Sequence, residues 1–445
     1  MHFFKTRTKG FLFTFLFTSS LAVQVFSSEK IHFEVEKFQL PNGLTVLMHV
    51  DRTIPIVSYQ TWFRVGSVDE EVNYTGIAHL FEHMMFKGAK RYSNKMYDQV
   101  LRENGATNNA FTTRDYTAYY INLPSSRVEL AVDMESDRME SLQINSENLT
   151  SEREVVKEER RYRVDNRPVG LLYETLFASV FRTHPYRWPV IGWMKDLGNI
   201  NVEKCKDFFR KYYAPNNAVV SVAGDFDPSK LKSLIEKYYG KIPSQEITRT
   251  KREPESPQKA AKVVSISKKV AGEHLAIGYR TAKAGQKDTY AIDLLTEILG
   301  GGTSSRLYKR LIYNSQVADS VSAYQMSMKE DGLVTFFIEM KSGKSFDQAT
   351  KIVLGELWRS RNQKYDEKEV EKAKNSVLVS YVDSLKSSYG KAYALGLNEV
   401  LMGSYEFLFK DIDIYLSVTP EMIQEVAEKY FQPWQATQVQ LKSAL

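Results

Sequence analysis

Apolar positions recur along this chain in two periods, and the pattern is laid down twice. The run FQLPNGLTVL, Phe38 to Leu47, alternates about Asn42-Gly43 and predicts a hairpin with an Asn-Gly turn. Ile56 to Val65 predicts a second strand. Thr75 to Phe86 predicts a helix with Gly76 near its start, and Phe111 to Leu123 a further strand. Glu129 to Ser141 is amphipathic at helical spacing, and helices continue to about Ala178. Two segments then match without gaps: Ile200 to Gly224 and Val418 to Lys442. They share Glu203/Glu421, Lys211/Lys429, Tyr212/Tyr430, Pro215/Pro433 and Ala218/Ala436, and each reads as helix, proline turn, alternating strand. Residues 242–261 are poor in large apolar side chains and rich in charge, Pro and Ser, as a linker is. The expectation is an α+β chain of two homologous domains, 28–241 and 262–445. Each is a mainly antiparallel sheet with helices packed on one face.

Composition changes this picture at three points. Lys5, Arg7 and Lys9 precede an uncharged, mostly apolar stretch from Gly10 to Phe26, and Val25-Phe26-Ser27 supplies small residues for cleavage. Residues 1–27 are therefore expected to be a signal peptide, too short for a membrane span, and the mature chain to be periplasmic or secreted. Removal of that leader takes away three of the formal +6 charges. The remainder is too mild to imply a nucleic-acid partner. Cys205 is the only cysteine, so no internal disulfide forms, and its helical context predicts a small buried residue.

The chemistry is concentrated in His79-Leu80-Phe81-Glu82-His83. Residues four apart share one face of a helix, so both imidazoles face one metal ion, with Glu82 beside it and free to move protons. This is the inverted zinc-protease motif HxxEH. A third protein ligand would leave one tetrahedral position open to water. The helical segment SEREVVKEERRYRVDN, Ser151 to Asn166, offers Glu152 and Glu159, two turns apart on one face. Its ordinary reading is a solvated helix. The spacing alone does not choose between these two glutamates.

His79 to His83, followed by Glu159 inside a Glu-Arg-x-Val-Val-x-Glu-Glu run, resembles the pitrilysin (M16) family of zinc metallopeptidases. Within it the chain is similar to the short branch of mitochondrial processing peptidases and their bacterial relatives. The resemblance implies a clamshell chamber, one Zn2+ per chain on His79, His83 and Glu159, Glu82 as general base, and Glu152 in support. It also implies that Asn109, Ala110 and Phe111 form an exposed edge that pairs with extended substrate. In the second half, YAIDLLTEILG (Tyr290 to Gly300) stands where the motif helix should be, with Leu294 and Ile298 in place of the histidines. That domain is expected to hold no zinc.

Active relatives carry an Arg and a Tyr seven apart in the second domain, in contact with substrate. Aligned on Leu307 to Val321, those places hold Ile312 and Asp319. Neither stabilises an oxyanion, and Tyr313 and Tyr324 are the nearby residues left to substitute. The resemblance therefore implies a heterodimer in which a related, zinc-free subunit supplies the Arg/Tyr pair. The expected function is a zinc endopeptidase for peptides and unfolded segments, against the alternative of a peptide-binding or assembly subunit with little proteolysis. Gly300-Gly301-Gly302 is followed by no Gly-Lys-Ser/Thr, which excludes a phosphate loop. His184 is expected to be structural.

Overall fold

Eleven strands form two sheets in the computed structural model, which describes residues 32–444. The leader expected over residues 1–27 lies outside them. In chain order the strands are β1 (Glu36–Gln39), β2 (Thr45–Val50), β3 (Ile56–Phe63), β4 (Thr107–Thr112), β5 (Thr117–Pro124) and β6 (Ala218–Gly224) in the first sheet. The second sheet comprises β7 (Lys262–Lys268), β8 (His274–Thr281), β9 (Ala318–Met326), β10 (Gly332–Met340) and β11 (Thr437–Ser443).

The sheet orders are β1-β2-β6-β3-β5-β4 and β7-β11-β8-β10-β9. Without β1 they are the same topology. In each, the last strand of the half inserts parallel to the first and antiparallel to the next, as β6 does with β2 and β3, and β11 with β7 and β8. The repeated segments occupy equivalent places. The Val202–Tyr212 helix, a proline turn and β6 match the Pro420–Tyr430 helix, a proline turn and β11.

The stretch Phe111 to Leu123, expected as one strand, is a hairpin. The Thr113 hydroxyl accepts hydrogen bonds from the backbone N–H of Asp115 (3.2 Å) and Tyr116 (3.1 Å). That side-chain turn reverses the chain and makes β4 the sheet's edge.

Helices cover one face of each sheet, as expected. The opposite faces are not left to water. β3 and β6 are buried on both sides, and the covering element on the second side is the Ser388–Leu401 helix, from the far end of the chain. Side chains of β3 and β6, and Asp51 just after β2, bond directly to it. Gln60 donates to Tyr389 O (3.0 Å), Ser221 donates to Ala392 O (2.7 Å), and Asp51 pairs with Lys391 (2.6 Å). Trp62 packs against Gly396, where a Cβ would fall 2.2 Å from its indole nitrogen.

The exchange is reciprocal. The Pro168–Val180 helix of the first half buries Leu172, Leu176, Phe177 and Val180 against Ala276, Leu333, Val439 and Leu441 of the second sheet. Each such side chain contributes roughly 1.5–3 kcal/mol. Here the glycine is on the sheet: a Cβ at Gly278 would meet Leu176 at 3.0 Å.

Residues 243–260 contain no helix or strand, yet they are anchored. One oxygen of the buried Glu255 carboxylate accepts the backbone N–H groups of Arg182, Thr183 and His184 at 2.8–2.9 Å. Arg252 bridges Asp69 (2.7 Å) and Glu330 (2.6 Å), and Glu330 lies 2.6 Å from buried His184. His184 thus ties the halves together, away from the motif helix. Cys205 is fully buried, and burial pushes its thiol up to about 12.

Replacing Gly396 by Val should force Trp62 and the Ser388–Leu401 helix apart, lowering stability by about 1–3 kcal/mol. Urea unfolding followed by Trp fluorescence reads this as a lower midpoint. An unchanged midpoint would refute the tight docking.

Candidate metal centre

The motif helix, Ile77–Met84, is held in place at its N-terminus. Glu70, buried, accepts the backbone N–H of Gly76 and of Ala78, each at 2.9 Å, which puts a carboxylate on the positive end of the helix. Gly76 has φ +92° and lies against the loop at Ile191–Gly192, where a Cβ would meet the Ile191 carbonyl at 2.6 Å. A glycine is required there on both counts. Ile77, Ala78, Leu80, Phe81 and Met84 enter the core. That leaves His79, Glu82 and His83 on the remaining face.

The Ser146–Arg160 helix crosses that face, its first turn capped by the Asn145 side chain on Asn148 N–H (2.9 Å). Of the two candidate glutamates, Glu159 meets both imidazoles. Its Oε2 lies 3.6 Å from His79 Nε2 and 3.3 Å from His83 Nε2. Glu152 stands behind His83 instead, with Oε2 3.3 Å from Nδ1 and Oε1 2.6 Å from the Lys87 ammonium. His83 thus presents one ring nitrogen to Glu159 and the other to Glu152.

These three residues are the one group of metal-capable side chains that converges among the described residues. Tetrahedral zinc with bonds of ~2.0–2.1 Å separates its ligand atoms by ~3.4 Å. The observed 3.6 and 3.3 Å match two of those separations, and all three ligand atoms lie within 4.8 Å of one another. Glu159 Oε2 is also buried and accepts no hydrogen bond among the described residues, although two ring nitrogens face it. A cation at that point satisfies all three.

The electrostatics separate the two imidazoles. Burial, with His83 alongside, drives His79 down to about 4. Burial also opposes charge on His83, but Glu152 and Glu159 outweigh it and raise His83 to about 9. The His83 ring holds the Glu159 carboxyl below its ordinary value. Glu82 moves the other way: burial raises it, and the Thr112 hydroxyl, donating to Oε2 at 2.6 Å, offsets part of that rise. The site therefore places an aimed carboxylate of raised basicity beside a preformed two-His, one-carboxylate cluster.

Thr112 ends β4, the free edge of the first sheet. Along that edge Asn109 is exposed, Ala110 is buried and Phe111 is half-buried. A cavity of about 730 Å³ opens beside the cluster, lined by His79, Glu159, Thr112, Arg163 and Arg167 among others. Every lining residue falls between His79 and Ile191, so among the described residues the second half contributes nothing to that wall. Ile312 packs against the second core, and Asp319 is exposed near the start of β9.

Several residues that shape the site carried no motif. Glu70 and Lys87 lie outside the pentapeptide, and Thr112 comes from a strand. Arg163 pairs with Glu159 Oε1 at 2.9 Å, from a π-helical turn that continues the ligand helix. Only the last had a readable signal, since Glu159 and Arg163 are four apart.

Comparison with known proteins places these features in context. The sequence profile described as Insulinase (Peptidase family M16) matches residues 45–192, and that described as Peptidase M16 inactive domain matches residues 199–377. Zinc protease PqqE of Helicobacter pylori is 28% identical, over 92% of each chain. A Bacillus subtilis protein named as the uncharacterized zinc protease YmxG is 26% identical, over 89% of this chain and 96% of its own. The crystal structure of a protease from Helicobacter pylori superposes with a TM-score of 0.89 at 28% identity, covering 92% of this chain and all of that one. The periplasmic protease PqqL from Escherichia coli shares the fold at a TM-score of 0.75 and 18% identity, and this chain spans 48% of it. With the two profiles matching successive halves of one fold, the chain belongs to the M16 family of peptidases.

Proposed function

We propose that this chain is a zinc-dependent endopeptidase acting on peptides and unfolded segments. The observation that carries the reading is the convergence of His79 Nε2, His83 Nε2 and Glu159 Oε2 beside Glu82. Zinc bound there supplies a Lewis acid that polarises the scissile carbonyl and acidifies water. Glu82 takes the proton of the attacking water and passes it to the leaving amine. Thr112 fixes the Glu82 carboxylate by its hydrogen bond, which leaves the other oxygen for the proton. Glu152 accepts from His83 Nδ1–H, which orients the ring with Nε2 toward the metal position and raises its basicity as a ligand. Asn109, Ala110 and Phe111 offer the edge of β4 to an extended peptide, which binds as an added strand.

The second half adds no donor to the metal-side cavity, and Ile312 and Asp319 cannot serve as oxyanion donors. This supports a heterodimer, with a related zinc-free subunit supplying an Arg/Tyr pair. The N-terminal leader pattern supports export to the periplasm or beyond, and no helix of the described residues is long and apolar enough to cross a membrane. The same loss of Arg and Tyr favours a second reading, a peptide-binding or assembly subunit with little proteolysis.

Glu82→Gln should retain one equivalent of zinc and lose about 10²–10⁴-fold in turnover of a quenched fluorescent peptide. Retained activity would refute the assignment. Glu152→Ala should weaken zinc about 10–100-fold in chelator competition, because His83 loses its acceptor. An unaltered affinity would make Glu152 a bystander. Mixed with the related zinc-free subunit, the chain should cleave peptides that it leaves intact alone. Full activity alone would remove the need for a partner, and a zinc-loaded but inert mixture would establish the binding-subunit reading.

A further inference from the structure

A second cavity, of about 920 Å³, lies on the other side of β4. Its walls are the helices Lys287–Gly300, Glu367–Ser384, Ser388–Leu401 and Phe407–Ser417, closed on the first half by Phe111 and Tyr116. Nothing in the proposed hydrolysis uses it.

Its lining has one electrostatic sign. It contains three aspartates and seven aromatic rings, and no Lys, Arg or His. Asp383 is matched by Lys386 at 2.5 Å. Asp293 and Asp411 have no basic partner among the described residues. Each instead accepts one tyrosine hydroxyl, Tyr415 on Asp293 Oδ2 (2.7 Å) and Tyr290 on Asp411 Oδ1 (2.6 Å), and the Gln325 amide reaches Asp293 Oδ1 at 3.3 Å. Burial without a counter-charge raises Asp293 to about 7 and Asp411 to about 6. Asn398 adds an open acceptor. It is only 8% exposed, its amide nitrogen donates to Ala394 O, and its Oδ1 accepts nothing among the described residues. Carboxylates, an open amide oxygen and aromatic faces in one cavity are what an ammonium or guanidinium group recognises.

The edge strand connects this cavity to the metal centre. Phe111 lines the acidic cavity, and its neighbour Thr112 lines the metal-side cavity. Successive side chains of a strand point to opposite faces. A peptide paired with β4 therefore sends alternate side chains to alternate cavities, and residues opposite Phe111 face the cavity that the aspartates line.

We propose that the cavity bounded by Phe111, Asp293, Asn398 and Asp411 binds a lysine or arginine side chain of the peptide strand paired with β4. This rests on reading the chain as a peptidase whose substrate adds to that edge. The basic residue lies an odd number of positions from the residue that sits over the metal.

The test uses the zinc-loaded Glu82→Gln protein and a labelled neutral peptide in which a single Lys is moved through successive positions. Fluorescence anisotropy should give about 10-fold tighter binding for Lys at alternate positions, the gain of one charged hydrogen bond. Asp293→Asn with Asp411→Asn should bring those peptides down to the neutral parent. Where the double variant does not fold, Asp411→Asn alone, on the half-buried wall, should remove most of the gain. Equal binding at all positions, binding of no peptide, or a lysine preference that survives these variants would overturn the proposal. Cleavage of the same peptides by the unsubstituted protein is scored separately, so a lysine preference without cleavage would refute hydrolysis and leave the cavity assignment standing.

Discussion

Two sheets, each needing cover on both faces, set the terms for everything else in this molecule. Each half brings enough helix for one face only. The second face is closed by a helix lent from the other half, Ser388–Leu401 in one direction and Pro168–Val180 in the other. The close fits use opposite devices. A tryptophan on the first sheet meets a glycine on the incoming helix, and a glycine on the second sheet meets an incoming leucine. Overpacking at such contacts is costly, so the relative placement of the two halves is fixed to within a side chain. The linker reinforces this, with Glu255 collecting three backbone N–H groups and Arg252 joining Asp69 to Glu330.

On that frame the two halves diverge at one helix. Ile77–Met84 and Lys287–Gly300 hold equivalent places. In the first half the face turned from the core carries two imidazoles and a carboxylate. In the second, Leu294 and Ile298 are buried in the second core. The charged site is then built by layers around the first helix. Glu70 holds its N-terminus, Glu152 and Lys87 back His83, Arg163 steadies Glu159, and Thr112 orients Glu82. A carboxylate partly withdrawn from water gains basicity, and one flanked by cations loses it, which separates Glu82 from Glu159 although both face the same cluster.

The parts of this legible in sequence were those governed by short-range periodicity. The pentapeptide, the amphipathic helices and the repeated helix-proline-strand segments all express spacing within one element. Where a longer reach decided the outcome, the sequence was silent or ambiguous. Glu152 and Glu159 share a face, and only the crossing of two helices separates them, which is why spacing left both open. Phe111 to Leu123 read as one strand because Thr113's turn depends on a hydroxyl bonding to backbone rather than on a glycine or proline. The exchanged helices gave no signal, since an apolar helix face does not say which sheet it will meet. Thr112 and Lys87 are ordinary residues made functional by what folds against them.

The lent helices also bear on how such a chain can change over time. A duplicated domain ordinarily leaves each copy free to be dropped, swapped or separated onto another gene. Here neither half closes its own sheet, so the pair is inherited as a unit. Metal ligands in the second copy are dispensable to the fold, and leucine and isoleucine in their places strengthen its core. The Ser388–Leu401 helix is not dispensable, because Trp62 and the centre of the first half's sheet lie under it. The second half is retained as the structural guarantor of the first.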